Sequence, residues 1–478
     1  MDTRIIKNYI YNVMYQLFVM LVPLVLSPYL ARTLGAYQLG IYNYISSTAT
    51  LITTITLLGT YSYGAREVAY FRDDSNKANI IYNEVFSIRC CLGFISLVVY
   101  VCIACLSKEY LIYFGFYLPW IVATIIDPSW LFVGYEDMKM TAIKNFCIKL
   151  FSVLLIFLII KNTDDLGKYF LIMATTTFFA NFVLLFQAKK YIYRLWWFRL
   201  SHWKKHIQDS LAMFWSQVAV LFYLQVDKIM LKWFAPSIAQ VSYYTYAENI
   251  VTIPLTLITM LSTVMMPRIA NEFQKNNKDS IKGMILKAGS ISLFMAVPMM
   301  FGIASLAPRL IPWYLGKSFT PTITAIIILS PIILTNSLSG ILGSQYLTAT
   351  NQMGLLLKAH LSAAIMNVGI NAILIPRIGF VGAAIATVIS SITAVSIQYY
   401  CVNRQIGIKT IVSDLCSYMI KALPMLLILV LTIGKLEARP ITTIIQVFLG
   451  GLVYLLVLII SKDKILIELQ SIIKRLIK

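Results

Sequence analysis

The residues in this chain that could do chemistry are charges set inside apolar runs. Arg89, Asp127, Asp227, Lys228, Lys232 and Glu248 each interrupt a stretch long enough to cross a bilayer, and Arg32 closes another. A charge at the bilayer centre costs about 2.5–3.5 kcal/mol on insertion scales, so such residues usually face a cavity or a partner. Two readings are open for each. Arg32 and Lys232 either snorkel to the interface or line a cavity mouth. Lys228 and Glu248 either form an ion pair between neighbouring helices or face the cavity. Arg89 either snorkels inward or meets a ligand, and Asp127 either caps a kink with Pro128 or exchanges an ion. Lys421 reads as a snorkelling cation. Together these residues put more cations than carboxylates at both mouths of a helical bundle, which suits an anionic substrate with a phosphate group.

Catalytic patterns do not occur in the sequence. It has no His-Glu-x-x-His, no Walker sequence and no Gly-x-Ser-x-Gly, and Gly316-Lys317-Ser318 lacks the upstream glycine of a phosphate loop. His202 and His206 stand four apart, as metal ligands on a helix can. No third ligand is near, so their Trp/Arg-rich loop reads as an interfacial anchor. Of the 7 cysteines, Cys102 and Cys105 lie inside the apolar run Leu97–Leu106, and buried, unpaired thiols are expected. Without an ATP site, transport must draw on an ion gradient or on the substrate's own gradient, and no cofactor or metal is expected.

Helices must position these charges. Of the 478 residues 59% are hydrophobic and 13% charged, with a mean hydropathy of +0.78. An average soluble domain has roughly 45–50% and about a quarter. A soluble enzyme and a disordered chain are both excluded. The net charge of +20 comes from 40 Lys+Arg against 20 Asp+Glu. The cations lie between apolar runs and form no continuous patch, so cytoplasmic loops explain them and nucleic acid does not. A crossing needs about 20 apolar residues, which gives about fourteen spans: 10–31, 39–60, 85–106, 110–133, 143–161, 168–188, 210–234, 243–265, 287–307, 321–346, 358–376, 380–400, 418–435 and 440–461. The first is too long for a signal-peptide core and is expected to remain as a span. Basic residues favour one side by about three to one, placing both termini in the cytoplasm. The tail 462–478 has the spacing of a helix lying on the membrane surface.

The chain is weakly similar to itself. Leu34–Tyr44 matches Phe234–Tyr244, and Tyr135–Lys144 matches Ala349–Lys358. The fold class expected is therefore all-α, with two pseudo-symmetric six-helix bundles related by an axis along the membrane normal, plus two further helices. The expected divisions are 1–200, 201–405 and 406–478.

Several of these residues also resemble a known family. Pro28-Tyr29-Leu30-Ala31-Arg32-Thr33-Leu34-Gly35 with Gly40-Ile41-Tyr42, Tyr63-Gly64-Ala65-Arg66-Glu67 with Arg72-Asp73-Asp74, and Asp227-Lys228-Ile229-Met230-Leu231 with Tyr243-Tyr244 and Ala247-Glu248 are similar to segments of bacterial polysaccharide-unit flippases. These are the Wzx-type members of the multidrug/oligosaccharidyl-lipid/polysaccharide exporter superfamily. The motifs sit mainly in residues 8–75 and 215–270; from Leu355 onward only hydropathy matches. The second half has Phe234-Ala235-Pro236 where the first has Leu34-Gly35-Ala36, so the two halves are not assumed to move alike.

The resemblance implies two bundles around a cavity that opens alternately to each side of the bacterial cytoplasmic membrane. It implies export of an undecaprenyl-pyrophosphate-linked oligosaccharide to the outer leaflet, for O-antigen, capsule or exopolysaccharide, driven by a proton or sodium gradient. Membrane lipids, a polymerase and a chain-length regulator are the partners expected. On this reading Arg89, with Arg66 as an outer guide and Arg32, Lys228 and Lys232 elsewhere, binds the substrate, while Asp227, Glu248 and Asp127 couple to the ion. Two other functions compete. A cation-coupled multidrug exporter would favour a carboxylate-dominated cavity. A membrane glycosyltransferase, polymerase or ligase would carry a large outer loop with catalytic acids, and the outer loops here reach only about 15 residues.

Overall fold

The computed structural model describes residues 22–194, 198–433, 436–468 and 470, and among them there is no strand. The chain divides into two compact units, Met1–Ile229 and Met230–Lys478. Unit 1 holds α1 (22–33), α2 (Gly35–Thr56), α3 (Thr60–Phe71), α4 (Ser75–Leu106), α5 (Leu111–Ile125), α6 (Ser129–Gly134), α7 (Met138–Ile159), α8 (Leu166–Gln187) and most of α9 (Trp203–Phe234). Unit 2 holds the end of α9 and α10 (Ala239–Gln274), α11 (Lys278–Tyr314), α12 (Thr322–Leu329), α13 (Ile332–Ser339), α14 (Met353–Ile378), α15 (Phe380–Ile406), α16 (Thr410–Ile433), α17 (Pro440–Ile460) and α18 (464–468). The division thus falls within α9, and α16 and α17 pack on α11 inside unit 2.

Every expected span that is described is helical, but length and hydropathy do not give fourteen. Among the described residues nine helices are long and apolar enough to cross a membrane, or ten if α12 and the helix from Ile332 to Leu347, bent by 40°, form one broken span. The shortfall has a physical cause. Residues 10–21 of the first expected span lie outside the described residues. Part of α10 also lies outside the side chains described, α9 carries charges near its end, and α2 is rich in Ser and Thr. The hydroxyls of Thr48, Thr50, Thr53 and Thr56 donate to carbonyls four residues back, so α2 satisfies its own polar groups despite low hydropathy.

In unit 1 the helices α3 and α6 meet through Gly64, where an added Cβ would lie 2.6 Å from the Trp130 ring. Trp130 stacks on Tyr82 of α4, with centroids 5.3 Å apart. Gly59 opens α3 with φ +70° and lies against the α9 backbone, where a Cβ would be 3.1 Å from the Ser210 carbonyl oxygen. Both glycines hold α3 close to its neighbours. α5 ends before Pro128, which has no N–H for a continuing helix, and α6 starts one residue beyond. Unit 2 has its core where α11, α16 and α17 meet, around Leu293, Val297, Tyr418, Leu429 and Tyr454.

Apolar side chains also face outward, among them Phe151, Leu158, Phe179, Phe448 and Ile460. In a bilayer such faces meet lipid. The cysteines follow this pattern and correct the expectation of burial: Cys91, Cys102, Cys105, Cys147 and Cys416 are exposed and Cys90 and Cys401 half-buried, all unpaired. Lipid is as apolar as a core, so thiols need not be inside. Lys421 is not a simple snorkelling cation either. It pairs with Asp463 at 2.6 Å, and Asp463 accepts the Ile465 N–H at 3.0 Å, tying the start of the tail to α16. Residues 471–478 of that tail lie outside the described residues.

Candidate functional site

In unit 1 the charges collect where α5 breaks. Arg89 of α4 is 2% exposed. Its Nη1 donates to Thr60 Oγ1 at 3.0 Å and its Nη2 to the Thr124 carbonyl at 2.9 Å, while its buried Nε has no hydrogen-bond partner. Thr124 would bond four residues on to Pro128, which has nothing to donate, so the break creates the acceptor that Arg89 fills. Asn181 of α8 does the same for the Ala123 carbonyl, at 2.8 Å. Arg89 was expected to face headgroups and cavity; it is buried between α3, α4 and α5.

Asp127 sits in the break. Its Oδ1 accepts the Ser129 N–H at 3.1 Å and hydroxyl at 2.5 Å, capping α6. Lys144 of α7 reaches the same oxygen at 3.5 Å and donates to Ser129 Oγ at 2.8 Å and Asn181 Oδ1 at 2.9 Å. The kinked turn and an ion pair therefore coexist.

Five residues along α7, Lys149 stands about halfway through the helix. Lys149 is half-buried, and Ser152 and Ile156, three and seven residues on, share its face and are buried, so Lys149 lies at the edge of the packed face of α7. Among the described residues it has no ion pair or hydrogen bond. The cost criterion applied to the other charges selects Lys144 and Lys149 as well; the otherwise apolar run 143–161 hides them in the sequence.

A second buried cluster joins α3, α4 and α9. The Glu84 carboxylate is 2.8 Å from His206 Nε2, and His206 Nδ1 is 2.6 Å from the Tyr63 hydroxyl. Arg199 Nε pairs with Glu84 at 3.1 Å, and His202 Nδ1 lies 3.6 Å away. His206, expected at the interface, is buried, whereas His202 is exposed. The segment before α9 is strapped to α4: Asn79 and Ser87 accept the N–H groups of Arg194 and Arg199, and Asn83 donates to the Arg194 carbonyl. No local signal marks this cluster, since Glu84 and His206 are 122 residues apart. Among the described residues no group of three or more His, Cys, Asp or Glu could hold a metal ion.

The other expected residues are spread out. Arg66 pairs with Glu67 at 2.9 Å and lies over the Tyr63 ring. Arg32 is exposed. Asp227 and Lys228 end unit 1, Lys232 and Glu248 open unit 2, and all but Lys232 are buried. Each of the four has a polar, ring or electrostatic partner.

A multi-pass helical bundle with charges paired inside its units is the build of a membrane carrier. Its relatives identify the kind. The polysaccharide biosynthesis protein family matches residues 5–273, and the lipid II flippase MurJ family matches residues 142–453. The chain belongs to the polysaccharide biosynthesis protein family, and residues 142–453 carry the MurJ family pattern. It is 23% identical over 370 residues to a putative O-antigen transporter of Escherichia coli (strain K12), covering 76% of this chain and 88% of that one. It is 25% identical over 235 residues to a probable low-salt glycan biosynthesis flippase of Haloferax volcanii, 49% of each chain. Among solved structures, lipid II flippase MurJ in an inward closed conformation superposes with a TM-score of 0.72 at 18% identity, covering 96% of this chain and 100% of that one. An outward-facing MATE multidrug transporter reaches 0.57 at 15% identity, covering 84% and 94%. The fold is therefore the one MurJ has.

Proposed function

We propose that this protein flips lipid-linked oligosaccharide units from the cytoplasmic to the outer leaflet of a bacterial cytoplasmic membrane, by alternating access and without covalent chemistry. What carries the reading is the coincidence of a polysaccharide biosynthesis family match over residues 5–273 with a MurJ family match over residues 142–453, the two overlapping over 142–273. The substrate is an undecaprenyl-pyrophosphate-linked oligosaccharide. Arg89, which is buried, and Lys149, which is half-buried, supply positive charge for the pyrophosphate, Arg66 is a weaker and more solvated guide, and Arg32, Lys228 and Lys232 serve other stages of its passage. An apolar groove of about 560 Å³ between α7 and α8, walled by Phe151 and Phe179 with Lys144 among its lining, suits an isoprenoid chain.

Coupling falls to Asp227 and Glu248, which are buried carboxylates, with a proton or sodium as the driving ion and no bound cofactor. Asp127 is less suited, being bonded to Ser129 and Lys144. Both termini lie in the cytoplasm, and a polymerase and a chain-length regulator act on the exported unit. A drug exporter fits less well, since the MATE likeness is weaker and covers less of the chain. The test is a strain lacking the protein, in which the lipid-linked unit accumulates facing the cytoplasm and surface glycan is lost. Accumulation in the outer leaflet would assign the block to polymerisation instead.

A further inference from the structure

The row Glu84–His206–Tyr63 is buried, titratable and absent from the transport roles given above. The two hydrogen bonds to the His206 ring can be made in two protonation states. With neutral imidazole, the Tyr63 hydroxyl donates to Nδ1 and the Nε2–H donates to Glu84 Oε2. With imidazolium, both ring N–H groups donate and the Tyr63 oxygen accepts. Between these states only the phenol proton turns, so no bond within the row is given up. Burial pushes the Tyr63 phenol up, so it keeps its own proton throughout. Histidine is the side chain that ordinarily titrates between about pH 5 and 8.

Several charges face the row. α3 contributes Arg66 and Glu67, α4 contributes Glu84, the segment before α9 contributes Arg199 and His202, and α9 contributes Asp209. Arg199 already balances Glu84 when His206 is neutral. A proton on His206 then adds a charge-assisted bond to Glu84, stronger than its neutral counterpart. The helix so held is α9, through which the chain passes from unit 1 to unit 2.

Resting on the carrier reading, we infer that Glu84, His206 and Tyr63 form a proton-binding site in which the bound proton tightens the hold of α3 and α4 on the start of α9, and its loss loosens it. The proton comes from water, adds to His206 Nδ1 as the phenol turns, and leaves by the reverse step.

Hydrogen exchange of residues 198–210 tests this on the full-length protein in lipid nanodiscs, with no glycolipid added. After correction for intrinsic rates, the native chain should exchange roughly tenfold more slowly at about pH 6 than at about pH 8. His206→Gln should show no such difference. Glu84→Gln, which removes the carboxylate but not the ring, should show a much reduced one, and it decides the matter if His206→Gln does not fold. Equal protection at both pH values in the native chain, or an undiminished difference in either variant, overturns the inference. In vesicles held at equal pH on both sides, so that no gradient acts on Asp227 or Glu248, the flipping rate of the native chain should change more between about pH 6 and about pH 8 than that of His206→Gln; an equal change in both separates the site from transport and overturns it. If the native chain flips no glycolipid at all, the proposed function fails while the exchange result stands on its own.

Discussion

Arg89 Nη2 donates to the carbonyl oxygen of Thr124 at 2.9 Å, joining α4 to the broken end of α5. The guanidinium therefore holds the protein together as well as supplying charge. Charge-assisted hydrogen bonds of this kind are worth about 1.5–3 kcal/mol each, and Arg89 makes one to Thr60 and one to Thr124. Arg89→Ala is expected to lower both the melting temperature in detergent and the surface glycan, Arg89→Lys to retain part of both, and Arg66→Ala to have the milder effect. A fully stable Arg89→Ala protein that exports normally would remove Arg89 from the fold's support and from loading alike.

Asp127 separates in a similar way by choice of substitution. Asparagine keeps an acceptor for the Ser129 N–H, so Asp127→Asn should preserve abundance, whereas Asp127→Leu removes the cap and should cost about 1–2 kcal/mol. Export by Asp127→Asn is expected at near-native rates across the pH range. A rate that loses its pH dependence in this variant would return Asp127 to the coupling residues.

The bundle and its interior charges were legible in the sequence because lipid imposes two simple rules: apolar length for each crossing, and a penalty for each charge within it. Those rules found Arg89, Asp127, Asp227 and Glu248, and applied evenly they find Lys144 and Lys149. They could not find the partners. That Arg89 fills a carbonyl freed by Pro128 depends on α4 lying beside α5. That His206 is buried depends on Gly59 letting α3 approach α9, and no spacing in the sequence encodes it. The rules also blur where a span is polar, as in α2, whose threonines bond back to their own helix. For the cysteines the error was one of solvent: an apolar run in a membrane protein can face outward.

Topology can be read directly. Reporter fusions after residues 75, 200 and 275 should all be cytoplasmic, and fusions after residues 35, 164 and 315 external. Disagreement between the reporters at 200 and 275 would mean that α9 and α10 do not both cross, and the carrier scheme would lose its two matching halves.

Asp227 is fully buried, and a buried carboxylate is retained at a cost that function or pairing must offset. Asp227→Asn is expected to slow flipping by about tenfold or more, a change of about 1.4 kcal/mol, while leaving the protein inserted and abundant. Normal flux in that variant, measured across a range of pH and sodium, would show that the carboxylate serves the fold only.

Lys149 offers the sharpest separation of stability from transport. A cation halfway along a membrane helix costs about 2.5–3.5 kcal/mol unless something compensates it, and among the described residues no counter-charge meets it. Lys144, one and a half turns away on the same helix, is bonded to Asp127, Ser129 and Asn181. The two lysines should respond in opposite ways to loss of charge. Lys149→Met removes an uncompensated charge at nearly constant volume, so melting temperature and abundance should stay level or rise. Lys144→Met leaves Asp127 and Asn181 without their donor, so both should fall. If Lys149 is kept for an anionic headgroup, its loss should abolish surface glycan in a protein at least as stable as the native one, and Lys149→Arg should restore part of it. Inverted vesicles bearing the glycolipid would read the flipping rate directly. Native rates in Lys149→Met would mean that the charge has no ligand to meet, and the phosphate would have to be held by Arg89 or the basic residues of α9.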